Sequence, residues 1–138
     1  MKTIGIQIKS AEAIMVVLEK DAAGNISQTN ESAKFVIDDP TKPNQVRQYR
    51  DQINAAFDSI GASRIGIVAR NANGKGLRAP SPISFMLEGV IMLYDKIDIE
   101  HVWEKTTIAH FKKNVKTGGA KNKYQNDAYD IAYYLMNQ

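Results

Sequence analysis

Two aspartates near the end of the chain, Asp127 and Asp130, are the residues whose type and spacing best suit chemistry. They lie three positions apart in the segment 123–138, which has the apolar periodicity of an amphipathic helix, so both carboxylates project from one helix face. Carboxylate oxygens bind hard cations, and the pair is therefore a candidate metal site. The alternative is a pair without a ligand, held near a helix N-terminus by the helix dipole.

Size and composition bound the kind of protein. The chain has 138 residues and a mass of 15.4 kDa, so we expect a single domain over residues 1–138. Hydrophobic residues make up 43% and charged residues 24%, which excludes a disordered chain. The absence of cysteine excludes disulfides and thiolate metal sites and is typical of a cytoplasmic protein. No apolar run reaches the roughly 20 residues of a membrane span, so we expect neither a signal peptide nor a membrane partner.

A lysine-rich stretch, here called the basic segment (residues 110–123), precedes the two aspartates. The formal net charge is only +3, but no acid interrupts this segment. Such a segment is suited to contacts with nucleic-acid phosphates, and the alternative is a solubilising surface. The predicted nucleic-acid contacts are Lys112, Lys113, Lys116, Lys121 and Lys123.

Alternation and apolar periodicity predict the elements that position these residues. Three strands come first, and their short connections predict an antiparallel arrangement. A helix, a strand, a second helix and a further strand follow, so the later strands run parallel through crossovers. The predicted strands cover 2–8, 13–19, 26–37, 64–69 and 97–103, the helices cover 44–60, 82–94, 106–113 and 123–138, and a glycine-rich loop covers 71–81. The predicted fold class is α/β, with a mixed five-stranded sheet flanked by helices.

Three short segments connect this order of elements to known proteins. They are GIQIKS at 5–10, FKKNVKTGGAK at 111–121 and NDAYDIAYYL at 126–135. Together with the order of elements, they resemble the ribonuclease H-like superfamily, and more narrowly its RuvC-type Holliday-junction resolvases. In that family four acids bind two divalent cations, which activate a water and stabilise the leaving oxygen of a phosphodiester. The resemblance implies a ribonuclease H-like fold, Mg²⁺ or Mn²⁺ as cofactor and nucleic acid as partner.

Only two of that family's four acids have a matching acid in this chain. Asp127 and Asp130 match its two terminal acids, whereas Gln7 occupies the position of the first-strand aspartate. The strand 64–69 corresponds to the strand that carries the family's glutamate, and it has no acid. Glu12, just past the first strand, is the candidate replacement ligand. The resemblance thus implies catalytic positions at Asp127, Asp130 and Gln7, and metal ligands at Asp127, Asp130 and Glu12.

Other polar residues have structural interpretations. Glu88 lies within an apolar helix, where a buried acid needs a partner such as Arg70 or Arg78. His101 and His110 lie on different elements and are interpreted as structural. Four tyrosines near the C-terminus are suited either to stacking bases or to packing in the core: Tyr124, Tyr129, Tyr133 and Tyr134.

Three functions remain open at this point. The first, which we favour, is a catalytically degenerate ribonuclease H-like protein that binds nucleic acid or acts as a scaffold and is not an enzyme. The second is a magnesium-dependent, structure-selective endonuclease that uses Asp127, Asp130 and a replacement acid. The third is a homo-oligomeric structural protein, such as a homodimer, joined through the apolar helix at 85–94.

Overall fold

The computed structural model describes residues 1–71 and 80–138, and these residues form six strands and four α-helices. The strands are β1 (Lys2–Lys9), β2 (Glu12–Lys20), β3 (Ile26–Gln28), β4 (Ala33–Val36), β5 (Arg64–Val68) and β6 (Ile99–Val102). The helices are α1 (Pro43–Ile60), α2 (Pro82–Met92), α3 (Glu104–Lys113) and α4 (Asn126–Met136). Most of the loop predicted at 71–81 lies outside the described residues. No helix in the described ranges is both long and apolar enough to cross a membrane.

The strands form one mixed sheet in the order β3-β2-β1-β5-β6, with β4 also paired to β2. The pairs of β2 with β1, β3 and β4 are antiparallel, and the pairs of β5 with β1 and β6 are parallel. The predicted α/β class and mixed sheet are confirmed.

The predicted count of five strands is wrong, because the segment 26–37 is divided into β3 and β4. Between these two strands the chain turns at residues 29–32. There the Val17 N–H donates to the Ser32 hydroxyl at 3.0 Å rather than to a backbone carbonyl, so the ladder with β2 is interrupted. The described part of the sheet therefore has six strands.

Helices cover both faces of the sheet because successive residues of a strand point to opposite sides. One face packs against α1 and α2 in a core that includes Ile4, Ile6, Met15, Val17, Tyr49, Ile53, Phe57, Leu87 and Ile91. The other face packs against α4 in a second cluster that includes Ile14, Val16, Leu18, Ala128, Tyr129, Ala132 and Tyr133. The run 13–18 in β2 is buried throughout, as predicted for a strand covered on both sides.

Local sequence explains where α1 and α2 begin and end. Pro43 lies in the first turn of α1, where its missing amide is not needed. Gly61 ends α1 with a φ of 63°, and its N–H donates to the Phe57 carbonyl at 3.0 Å. The Ser81 hydroxyl accepts a hydrogen bond from the Ser84 N–H at 3.2 Å and so caps α2.

Candidate functional site

Two glycines allow α4 to lie unusually close to the centre of the sheet. Gly5 on β1 and Gly66 on β5 are register partners. A Cβ atom added to Gly5 would overlap the backbone carbonyl oxygen of Ala128, and one added to Gly66 would lie 2.8 Å from side-chain carbons of Ile131 and Leu135. The two positions form a flat platform without side chains, and the backbone of α4 rests on it.

A buried hydrogen bond adds to this close contact. The Thr3 hydroxyl on β1 donates to the Ala132 carbonyl of α4 at 2.7 Å, and Thr3 is fully buried. Because β1 and α4 are joined at Thr3 and pressed together at Gly5, the first turn of α4 is held beside Gln7.

The predicted proximity of Gln7 and Asp127 takes the form of a direct hydrogen bond. The Gln7 Nε2 amide donates to Asp127 Oδ2 at 2.7 Å. The amide nitrogen must be the group that faces Asp127, since an ionised carboxylate only accepts hydrogen bonds. The Gln7 Oε1 atom is buried and has no hydrogen-bond partner among the described residues. Asp127 thus has a neutral donor where the resolvase pattern has a second carboxylate.

Asp130 is paired with a lysine from the basic segment. The Lys116 ammonium lies 2.6 Å from Asp130 Oδ1, and the two side chains are only 34% and 26% exposed. The same ammonium lies 4.7 Å from the centre of the Phe111 ring. The Thr117 N–H donates to the Tyr133 hydroxyl at 3.1 Å and anchors the segment to α4. A lysine side chain therefore supplies the positive charge beside Asp130.

The acids in the described part of the chain form no group of metal ligands. In the described ranges, no three Asp, Glu or His side chains come together as a group that could hold a metal ion. Glu12 pairs in register with Lys9 at the end of the β1–β2 hairpin and does not complete such a group with the two aspartates. On β1, Ile8 separates Lys9 at the hairpin end from Gln7, whose register partner on β2 is Ile14. The metal roles of Asp127, Asp130 and Glu12 remain predictions.

A cleft of about 730 Å³ opens where β1, β5 and β6 end. Parallel strands β5 and β6 bring their carboxyl ends to the same edge of the sheet, as does β1. The described residues that line this cleft include Gln7, Lys9, Arg70, Ser81, Ser84, Trp103, Glu104, Lys105 and Asp127. Sequence reasoning placed the start of α3 at residue 106 and so missed Trp103, Glu104 and Lys105; the position directly after a parallel strand was the signal available for them.

A comparison with known protein families shows which family the chain belongs to. The family model described as "Protein of unknown function (DUF3010)" matches residues 1–135. The chain belongs to the DUF3010 family. No curated protein sequence matches this DUF3010 member significantly.

Solved structures share the fold of this DUF3010 member at low sequence identity. Thermus thermophilus RuvC is 10% identical with a TM-score of 0.66, and the match covers 99% of this chain and 97% of RuvC. The same RuvC in complex with a Holliday junction substrate gives 10% identity and a TM-score of 0.67, covering 99% and 96%. The yeast mitochondrial Holliday junction resolvase Ydc2 is 8% identical with a TM-score of 0.54, and the match covers 85% of this chain and 56% of Ydc2. These likenesses confirm the predicted ribonuclease H-like fold.

Glu88 has the basic partner that the sequence requires. In the DUF3010 chain, Glu88 is 9% exposed and its Oε1 lies 3.6 Å from the Arg70 guanidinium. Arg70 also donates to the Ser84 hydroxyl at 2.7 Å, and His101 Nε2 lies 3.8 Å from Glu88 Oε1. Arg78, the other predicted partner, lies outside the described residues. Glu88 is therefore committed to a structural contact between α2 and the end of β5.

The other lysines that are predicted to contact nucleic acid lie on the surface of this DUF3010 member. Lys112 and Lys113 are exposed at the end of α3, and Lys123 is exposed before α4. Lys121 is exposed, and its ammonium donates to Asn30 Oδ1 at 2.9 Å. Four of the five predicted lysines are thus on the surface, where a large anion can approach them, whereas Lys116 is turned towards Asp130.

The tyrosines of α4 are mostly core residues. Tyr129 and Tyr133 are buried and stack with ring centres 5.9 Å apart, and Tyr134 is half-buried against His110. Burial raises the pKa of the Tyr129 hydroxyl, and the nearby Tyr133 and Asp130 add to this effect. Tyr124 is 41% exposed, but the Lys34 ammonium lies 4.2 Å from the centre of its ring. Packing therefore explains Tyr129 and Tyr133 without a bound base.

The outer side of α2 is exposed and apolar. Leu87 and Ile91 are buried against the sheet, whereas this part of the DUF3010 chain also carries four exposed apolar residues, namely Ile83, Met86, Met92 and Leu93. The subunit contact expected at 85–94 stays a prediction, with this exposed surface as its candidate location.

Proposed function

We propose that this protein is a nucleic-acid-binding module with a ribonuclease H-like fold that does not cleave phosphodiesters by a two-metal mechanism. The proposal rests on the interaction partners of the two aspartates. Asp127 accepts a hydrogen bond from Gln7, and Asp130 forms an ion pair with Lys116. Two-metal catalysis needs carboxylates free to hold two ions about 3.5 to 4 Å apart. Here a neutral amide and a lysine ammonium supply the interactions that cations would make.

A nucleic-acid partner is supported by fold and charge together. A structure of Thermus thermophilus RuvC with a similar fold holds a Holliday junction substrate. In this chain, the exposed lysines of the basic segment lie on the surface and come shortly before α4 in the sequence. Lysines of this kind bind phosphates without reading sequence, so the module would recognise the shape and charge of a nucleic acid rather than its bases.

Metal titration tests the absence of a catalytic site. We expect millimolar Mg²⁺ or Mn²⁺ to leave the melting temperature unchanged, because a ligand stabilises a protein only where it binds the folded state. Branched DNA incubated with the protein and metal should remain intact on a denaturing gel. Asp127→Asn is the matched control and should behave like the wild type in both assays. Metal-dependent cleavage that disappears in Asp127→Asn would refute the proposal.

A magnesium-dependent, structure-selective endonuclease is the second candidate, and Glu104 is the observation that favours it. Glu104 lines the main cleft with Asp127, and it also lines a smaller cavity of about 80 Å³ with Asp127 and Asp130. It is therefore a better placed replacement acid than Glu12. Cleavage lost in Glu104→Gln but retained in Glu12→Gln would establish this candidate.

Charge removal in the basic segment tests nucleic-acid binding. We expect the double variant Lys112→Gln/Lys113→Gln to weaken binding to duplex DNA of any sequence by about tenfold at moderate salt, because each lost phosphate contact removes roughly 0.9 from the slope of log affinity against log salt. The matched control is Lys42→Gln/Arg47→Gln, which removes two exposed charges at α1 on the opposite face of the sheet. Equal losses in both double variants would point to net charge alone, and would contradict a binding surface at the basic segment.

A further inference from the structure

Trp103 is the only tryptophan in the chain, and it lies in an unusual environment. It follows β6 directly, occupies the N-cap position of α3 and lines the main cleft. The side chain is 46% exposed. Tryptophan has a large apolar ring that is normally highly buried, and an exposed one in a cavity is typical of a ligand contact.

The ring of Trp103 takes part in none of the aromatic or cation–π pairs of the described residues. Among the described residues, no aromatic ring packs against it and no cation lies over it, whereas Lys34 covers the ring of Tyr124. A planar group that stacks on the exposed part of Trp103 would therefore displace no aromatic or cation–π partner among the described residues. Among the described residues, Trp103 and Tyr124 carry exposed aromatic rings, and of these two Trp103 lines the cleft.

The same cleft supplies positive charge and a hydrogen-bond acceptor. Lys9 and Lys105 are exposed, line the cleft and form no ion pair within the described ranges. Gln7 is another lining residue, and its buried Oε1 has no hydrogen-bond partner among the described residues. Ammonium groups suit a phosphate, and a carboxamide oxygen suits an N–H donor of a base, such as the N3–H of thymine.

We propose that this cleft binds an unpaired nucleotide of a nucleic acid, with the base stacked on Trp103 and the phosphate at Lys9 and Lys105. A volume of about 730 Å³ is sufficient for one nucleotide. The nucleotide must be unpaired, because bases inside a duplex already stack on their neighbours and do not offer a free face. The inference rests on the proposed nucleic-acid binding and adds the form of the ligand at the cleft.

The single tryptophan makes the inference directly measurable. Oligothymidylate should quench the fluorescence of Trp103 as it binds, because stacking brings a base into contact with the indole. A blunt duplex of the same length should bind through the basic segment and leave the fluorescence nearly unchanged. Oligothymidylate that binds, as measured by anisotropy, without changing the fluorescence would overturn the inference.

Variants separate stacking from other contributions. Trp103→Ala should weaken binding of oligothymidylate by about 5- to 150-fold and leave duplex binding unchanged, since stacking on an aromatic side chain is worth this much per base. Trp103→Phe should retain affinity within about threefold of the wild type, because a flat ring is preserved. Tyr124→Ala, a matched loss of an exposed ring outside the cleft, should have no effect. Circular dichroism melting checks that each variant is folded.

The outcomes distinguish this inference from the function on which it rests. If neither oligothymidylate nor duplex binds at low salt, the proposed nucleic-acid binding fails and the inference fails with it. If both bind and Trp103→Ala leaves both affinities unchanged, only the inference fails. If oligothymidylate alone loses affinity in Trp103→Ala and regains it in Trp103→Phe, the cleft is the site of an unpaired nucleotide.

Discussion

Gly5→Ala is expected to lower the free energy of unfolding by about 3 to 5 kcal/mol, at the upper end for a single substitution. The new methyl group would overlap the Ala128 carbonyl oxygen and lie 2.7 Å from the Ala132 nitrogen, and both are backbone atoms of α4 that no change of rotamer can move. The helix would have to shift as a body, and Asp127 would move away from Gln7. Urea denaturation followed by circular dichroism measures the loss.

Gly89→Ala is the matched control for that measurement. A Cβ at Gly89, in the middle of α2, meets no atom within 4 Å. The same chemical change should therefore be neutral or stabilise the protein by up to about 1 kcal/mol, because alanine is the better helix former. The same loss of stability in both variants would contradict the close approach of β1 and α4.

Gln7→Asp is expected to convert the site into one that responds to divalent cations. Without metal, the variant loses a hydrogen bond to a carboxylate and gains a like charge beside Asp127, so its unfolding free energy should fall by about 2 kcal/mol. With metal, the two facing carboxylates, the one introduced at position 7 and that of Asp127, supply hard oxygen ligands from both sides. Mg²⁺ at a hundred times its dissociation constant should then restore about 2.7 kcal/mol. Thermal melting in chelator and in Mg²⁺ reports both effects.

The double variant Gln7→Asp/Asp127→Asn controls for the charge change. It exchanges the amide and the carboxylate of the native pair, so the hydrogen bond can re-form and only one acid remains at this position. We expect nearly native stability in chelator and no response to Mg²⁺. A wild-type protein that is stabilised by Mg²⁺ as strongly as Gln7→Asp would show that Gln7 is not what keeps the cation out.

The fold was largely predictable from the sequence because its signals are local. The continuous apolar run at 13–18, the helical spacing in α1 and the Ser-Pro start of α2 each depend on neighbouring residues. The third strand was misjudged because its interruption depends on a hydrogen bond between Ser32 and Val17, fifteen residues away. The strand propensity of residues 26–37 does not depend on that contact, so it could not predict the interruption.

The candidate site was only partly predictable because its contacts are distant in sequence. The proximity of Gln7 and Asp127, which are 120 residues apart, followed from the resemblance to the resolvases. The ion pair of Asp130 with Lys116 could not be predicted, since a lysine among five has no local feature that turns it inward. The platform at Gly5 and Gly66 was also missed, because a glycine in a strand reveals a close approach only when the approaching helix is known.

The most direct test of the central claim is the binding of a fluorescently labelled four-way DNA junction in chelator, measured by anisotropy over a range of salt concentrations. We expect binding without any divalent cation, because lysine side chains supply the positive charge, and a steep loss of affinity as salt rises. Added Mg²⁺ should weaken binding, because it competes with the lysines for the phosphates, and it should leave the junction uncut. Binding that requires Mg²⁺, or no binding in chelator even at low salt, would contradict the account.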